Sequence, residues 1–177
     1  MTERRVTEGA TTPDDAEDQA ARELALKRAF GAYPTGVTIV TTMDGDIPRG
    51  FTANSFTSVS IDPPLLLVCH GNAASSGEVF RSAGGFAVNI LSGDQRDLAI
   101  RFASRVDDRF ADLEWQSGQG GPLLPGTAAW FDCTMHDTFP AGDHTILVGR
   151  VLEHRANDRD ALAYWKGNFL EGLPSQS

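Results

Sequence analysis

Large apolar residues are scarce over residues 1–15, recur at helical spacing over residues 16–31, and from Val37 onward fall at strand spacing. Residues 1–15 hold Thr, Glu, Asp, Gly and Pro, with too little apolar surface to offset the entropy of ordering. They are expected to form a disordered acidic tail. Ala20, Leu24, Ala25 and Ala29 share one helical face, which predicts a helix over residues 16–31 that stops near Gly31. Val37 to Thr42 is β-branched throughout and reads as a strand, and Asp44-Gly45-Asp46 after it signals a hairpin. From Gly50 to Ile61 the chain reads as one alternating strand, with Phe51, Ala53 and Ser55 on one face and Thr52, Asn54 and Phe56 on the other. Asp62-Pro63-Pro64 ends it, because proline cannot donate to a sheet ladder. Leu65 to Cys69 suits a short strand buried on both faces, and Phe86 to Leu91 is another. Ser92 with Gln95 resembles a capping box opening a helix to about Ser104, whose apolar face carries Leu98 and Phe102. Residues 115–126 read as a Gly/Pro loop, Ala128–Met135 and Thr145–Glu153 as the last clear strands, and Ala161–Phe169 as a short aromatic close.

Six or so short strands and two or three helices, without regular alternation, predict a mainly β fold: a closed barrel with flanking helices. No GxGxxG follows the first strand, so a Rossmann domain is disfavoured and any nicotinamide must bind by another route. The length of 177 residues fits one folded domain, over 16–177. A net charge of −9 repels phosphate backbones and argues against a nucleic-acid partner. No apolar run approaches the roughly 20 residues that span a membrane, and the N-terminus lacks the apolar core of a signal peptide. A cytoplasmic protein is the resulting expectation. Cys69 and Cys133 lie far apart in apolar runs and form no CxxC pair, which reads as two buried free thiols.

Candidate chemistry concentrates in a few places. Between Thr52 and Ser60, hydroxyls and one amide are dense. A strand with one wet face explains them, but Phe51 and Phe56 fall on opposite faces, so Asn54 and Ser55 also suit a specific polar ligand such as the pyrimidine edge of a flavin. The run Cys69-His70-Gly71-Asn72-Ala73-Ala74-Ser75-Ser76 follows a strand and precedes a short helix. Ser75 or Ser76 there is either a plain N-cap or part of a phosphate site. Gly142-Asp143-His144 opens a strand, as a turn with a structural histidine or as a functional one. Arg101 is a solvated helix residue or a bidentate phosphate clamp. No metal-ligand spacing and no GxSxG appears.

In order and spacing, Tyr33-Pro34-Thr35-Gly36-Val37-Thr38, Gly50 to Ser60 with Pro63-Pro64-Leu65, Phe86 to Leu91, Arg101-Phe102-Ala103 and Gly142-Asp143-His144 resemble the flavin reductase-like family. These are the small reductase components of two-component flavin monooxygenases, as in aromatic hydroxylation and actinomycete antibiotic biosynthesis. The resemblance covers residues 30–169. It implies an FMN-binding split β-barrel of Greek-key type, a homodimer, and flavin near the subunit interface. It implies that Pro48, Arg49, Gly50, Phe51 and Thr52, with Asn54 and Ser55, line the flavin ring and ribityl chain. It sets Cys69, His70, Gly71, Ser75 and Ser76 near the polar tail, and Arg101 and Phe102 at a further flavin contact. Asp143 and His144 would meet the nicotinamide, with His144 the catalytic candidate, and Tyr164, Trp165, Lys166 and Gly167 would touch the same nucleotide. Ser75-Ser76 departs from relatives that carry a basic residue beside the serine.

The activity so implied is NADH-dependent reduction of FAD, or FMN, with free reduced flavin passing to a partner monooxygenase. A non-catalytic flavin-storage protein on the same barrel is the alternative, and it has no need of the Gly-Asp-His block. A pyridoxamine phosphate oxidase would want several basic residues converging on a phosphate, and few lie between Gly50 and Ser76.

Overall fold

The helix α1 (Pro13–Phe30) begins three residues earlier than expected, inside the stretch read as tail; the rest of that tail lies outside the residues described by this computed structural model, which are 13–74, 76–106 and 108–170. Lys27 and Arg28 sit in its last turn, where cations complement the helix dipole. The Gly31 N–H closes on the Lys27 carbonyl at 2.9 Å. This helix belongs to a unit ending at Tyr33, and everything from Pro34 onward forms a second unit.

The second unit opens with β1 (Thr35–Gly36), the hairpin β2 (Thr38–Asp44) and β3 (Ile47–Ala53), then β4 (Thr57–Ile61) and β5 (Pro64–Gly71). A short α2 (Gly77–Ser82) leads to β6 (Gly85–Ile90), and a 3-10 turn leads into α3 (Arg96–Ala103). The two-residue strands β7 (Gln116–Ser117) and β8 (Pro122–Leu123) pair with each other inside the Gly/Pro loop. The chain ends with a long hairpin, β9 (Ala129–Ala141) and β10 (His144–Ala156), then β11 (Ala163–Trp165) and β12 (Asn168–Leu170). Seven strands form one antiparallel sheet in the order β3-β2-β6-β9-β10-β5-β4, and β1-β11-β12 form a small second sheet.

The strand expected over Gly50–Ile61 is in fact two. At residues 54–56 the chain leaves the ladder, and β3 and β4 lie at opposite edges of the seven-stranded sheet. The side chain of Ser55 fastens this corner: its Oγ accepts the Cys69 N–H at 2.9 Å. β5 is buried on one face only, through Leu66, Val68 and His70, while Leu65, Leu67 and Cys69 are half-exposed. Cys69 is therefore not a buried thiol, whereas Cys133 is; both are free. β9 and β10 run well past the expected ends, paired around Gly142, whose φ of +62° suits glycine.

Period-two alternation builds the interior. Neighbouring Val40 and Ile39 on β2 enter different clusters. Val40 joins Val68, Phe80, Phe86, Val88 and Leu147, and Ile39 joins Leu91, Ala99, Phe102, Leu124 and Leu162. The fully buried Asn89 ties β6 to both sides: Nδ2 donates to the Ile39 and Pro122 carbonyls, and Oδ1 accepts the Leu124 N–H at 2.8 Å. The expected capping box between Ser92 and Gln95 is present. Gln95 Oε1 accepts the Ser92 N–H, while the Ser92 hydroxyl lies against Asp94 and the Gly126 carbonyl.

Candidate functional site

Two turns meet at one end of β5 and β10. Strand register sets His144 opposite Gly71 and Thr145 opposite His70. The Asn72 N–H donates to the Asp143 carbonyl at 2.9 Å, and Thr145 Oγ1 donates to Asn72 Oδ1 at 2.8 Å. These bonds lock the 71–74 turn to the 142–144 turn. His144 Nδ1 lies 2.7 Å from Asp143 Oδ1. The carboxylate accepts the Nδ1 proton and leaves Nε2 as the free ring atom, exposed to solvent. A Cβ on Gly71 would lie 3.7 Å from that Nε2, so the absence of a side chain at 71 keeps this face open.

Behind this pair His70 is buried to 1% exposure. Its ring meets Phe51 edge-on at 4.4 Å and lies 5.3 Å from Phe80. Burial pushes its pKa down, the Gly71 backbone partly offsets this, and Arg81 and His144 add to the depression. Its Nε2 lies 3.1 Å from Ser76 Oγ, and its Nδ1 has no partner. The sequence offers Ser75 or Ser76 as a helix cap or as part of a phosphate site. Ser76 does occupy the N-cap of α2, but its hydroxyl makes no cap bond and faces His70 instead. Ser75 lies outside the described residues.

The β3 residues sit next door. Phe51 reaches His70, and Gly50 lies so close to α3 that a Cβ there would stand 2.7 Å from the Phe102 ring. Thr52 Oγ1 donates to the Ala99 carbonyl at 2.6 Å, and Ser55 is held to Cys69, so both hydroxyls tie structure together. The Asn54 side chain is exposed. Arg101 is turned onto the Ala111 carbonyl. Pro48, Arg49 and Gly50, with Asp108, Arg109, Phe110 and Trp115, line a cleft of about 500 Å³. Arg49 pairs with Asp44 at 3.1 Å. Arg109 was not foreseen: it donates to the Gly50 and Ser104 carbonyls, a role that no local motif announces.

Tyr164, Trp165, Lys166 and Gly167 form the tip of the β11–β12 hairpin, on the small sheet rather than on the one carrying His144. Tyr164 packs on Phe169 at 5.2 Å, and the Lys166 ammonium stands 4.3 Å over the Trp165 ring.

The fold has counterparts in known proteins. The flavin reductase like domain family matches residues 30–172, and the chain belongs to that family. It is 48% identical to the stachydrine N-demethylase reductase subunit Stc3 of Rhizobium meliloti, over 82% of this chain and 64% of that protein. It is 47% identical to the reductase component of the flavin-dependent trigonelline monooxygenase of Acinetobacter baylyi, over 86% of this chain and 50% of that one. The chain thus spans about half to two thirds of the length of these relatives. Among solved structures, the NADH:FAD oxidoreductase SgcE6 of Streptomyces globisporus, in complex with NAD and FAD fragments, superposes with a TM-score of 0.82 at 37% identity, covering 96% of this chain and 99% of that one.

Proposed function

We propose that the chain is an NADH-dependent flavin reductase that reduces FAD or FMN and releases reduced flavin to a partner monooxygenase. The observation that carries this is the Asp143–His144 pair, locked by Asn72 against the end of β5 and one residue from the His70–Phe51 contact with β3. It joins the segment assigned to nicotinamide to the segments assigned to flavin. SgcE6, an NADH:FAD oxidoreductase, and the trigonelline monooxygenase reductase component support the same reading.

The residues present fit such ligands. The exposed Asn54 amide offers both a donor and an acceptor to a flavin's polar edge, and the open Gly71 face leaves room beside His144 Nε2. When both are bound, the nicotinamide supplies a hydride and the flavin, as substrate, accepts it. The chain's part is orientation and exclusion of water. Asp143 holds the Nδ1 proton of His144, so that Nε2 is the atom turned to the nicotinamide. Tyr164 to Gly167 form an outer wall for the same nucleotide, and Arg101 and Phe102 back the flavin side through α3. His70, Gly71, Cys69 and Ser76 flank its polar tail.

We read the seven-stranded sheet as curling into a split barrel. Laid flat, six interstrand spacings would hold its edges about 29 Å apart. The four Cα steps from Ala53 to Thr57 reach about 14 Å at most. The Phe51–His70 contact and the Ser55–Cys69 bond, each joining β3 or its corner to β5, support the same curl. On the outer side of β5, β10 and β9, Leu65, Leu67, Cys69, Ile146 and Phe139 form an apolar strip, with Cys69, Ile146 and Phe139 in register. We assign that strip to a homodimer interface; elution as a monomer in size-exclusion chromatography would remove it. Among the described residues no helix is long and apolar enough to cross a membrane, and the two free thiols suit a reducing cytoplasm.

The test is turnover. Purified protein with NADH and excess FAD or FMN should oxidise many equivalents of NADH. Reduction of one flavin equivalent or none refutes the reductase and leaves a flavin carrier.

A further inference from the structure

Toward the far end of β10 from His144 the chain builds a second concave surface, which hydride transfer does not use. Cross-strand pairing sets Arg155 on β10 opposite Trp130 on β9. With Gln116 on β7, Leu123 on β8, Pro125 and Arg159, they line a cleft of about 290 Å³. The strand steps from 144 to 155, at roughly 3.3 Å each, put it up to about 36 Å from His144 along β10. It shares no lining residue with the cleft beside β3.

Its rim is fixed from behind. Gln95 Nε2 donates to the Pro125 carbonyl at 2.8 Å, and the Ser92 hydroxyl donates to the Gly126 carbonyl at 2.7 Å. Asn157 fastens the turn after β10 to the same segment. Its Nδ2 donates to the Thr127 carbonyl at 2.8 Å, and its N–H to the Ala128 carbonyl at 2.8 Å. The Arg159 N–H closes on the Asn157 carbonyl at 2.9 Å. The carbonyls of residues 125–128 are thus engaged, and the cleft has its shape before any ligand arrives.

The charge inside runs against that of the whole chain, which is −9. The guanidinium groups of Arg155 and Arg159 line the cleft against one carboxylate, Asp158. Arg159 is shared with the exposed Asp94 at 3.3 Å. Among the described residues nothing hydrogen-bonds or ion-pairs with the Arg155 side chain. A planar, bidentate cation without a partner therefore stands beside a half-buried indole, with the buried Leu123 and Leu124 adding apolar lining. That combination suits an anion with a flat apolar body, its head on the guanidinium and its ring against the indole. Asp158 disfavours a second negative charge on the ligand. The volume sits at the low end for ligand pockets, so it suits a single ring rather than a dinucleotide.

We propose that this cleft binds a flat, one-ring monocarboxylate, with Arg155 holding the carboxylate and Trp130 the ring. The site is separate from those assigned to flavin and nicotinamide, and it does not rest on the reductase reading.

The experiment titrates benzoate, and its neutral counterpart benzamide, into the full chain with and without excess FAD. The indole N–H resonances of Trp115, Trp130 and Trp165 are followed, assigned with single Trp→Phe variants. Benzoate should move the Trp130 resonance saturably, leave that of Trp115 in place, and bind equally well with FAD present. Loss of a charged hydrogen bond should weaken binding about tenfold or more in Arg155→Gln, an exposed position that the fold tolerates changing, and benzamide should bind the wild type as weakly. Arg159→Gln should weaken it less, because Asp94 already shares that charge. A Trp130 resonance unmoved by benzoate overturns the proposal, as does benzamide binding as tightly as benzoate, or wild-type affinity in Arg155→Gln. Competition by FAD would place the acid in the flavin site and overturns it too. Oxidation of NADH by the wild type, measured without benzoate, reads the reductase separately: its absence would remove that reading and leave this site standing.

Discussion

Gly50→Ala tests how closely β3 is fitted to α3. The added methyl would lie 2.7 Å from Phe102 Cε1, 3.0 Å from Cδ1 and 3.2 Å from the Val40 carbonyl oxygen. An ordinary contact needs roughly 0.7 Å more than the shortest of these. The ring cannot simply turn aside: Phe102 is 1% exposed and meets Phe110 edge-on at 4.9 Å. The Val40 oxygen belongs to the paired backbone of β2 and is no more mobile. Overpacking of this kind costs about 1–3 kcal/mol. The reduced freedom of the unfolded chain returns about 0.4–1 kcal/mol. The net loss of about 1–2 kcal/mol should lower Tm by roughly 2–8 °C in a chain of this size. Phe102→Leu removes the ring edge, so the double variant should be less destabilised than the two single losses added together. Thermal denaturation of all four proteins completes the cycle. A wild-type Tm in Gly50→Ala, or strict additivity, would refute the close fit of β3 on α3.

Gly71→Ala should behave in the opposite way. Its methyl meets His144 Nε2 at an ordinary 3.7 Å, so Tm should hold or rise slightly, while kcat/KM for NADH falls about tenfold; unchanged NADH kinetics would show that the nicotinamide does not use that face of His144. His70 should give stability a pH dependence. Its pKa is depressed below 6.5 in the folded chain, chiefly by burial, so the unfolded chain takes up the proton first. The contribution is full above pH 6.5 and is lost as pH falls through the lowered value. Tm profiles of the wild type and His70→Asn should therefore converge on acidification, and parallel profiles would exclude the effect.

Elements set by local pattern were legible in the sequence. The β-branched run of β2, the Gly45 turn and the Gly142 turn each carry their own signal within a few residues. The break between β3 and β4 was not legible, because alternation continues through Asn54-Ser55-Phe56 and the bond that turns the chain is made to Cys69, fourteen residues on. The same holds at the site. His144 and its Asp143 partner are neighbours in sequence and were visible as a pair. The approach of Ser76 to His70 was hidden, since a serine before a short helix looks like an ordinary cap. Arg81 and Arg109 lack any motif; their positions follow only from the return of the Arg81 side chain towards Gly77 and from the bonds of Arg109 to the Gly50 and Ser104 carbonyls.

The lock between the two turns sets a time as well as a place. Asn72 finds its partners at Asp143 and Thr145, 71 and 73 residues later in synthesis, and β10 must be laid between β9 and β5 for them to meet. A nascent chain that has emerged only as far as β9 carries every proposed flavin contact except this clasp. In this topology the clasp between the two turns is completed last, once the final long strand of the sheet is in place.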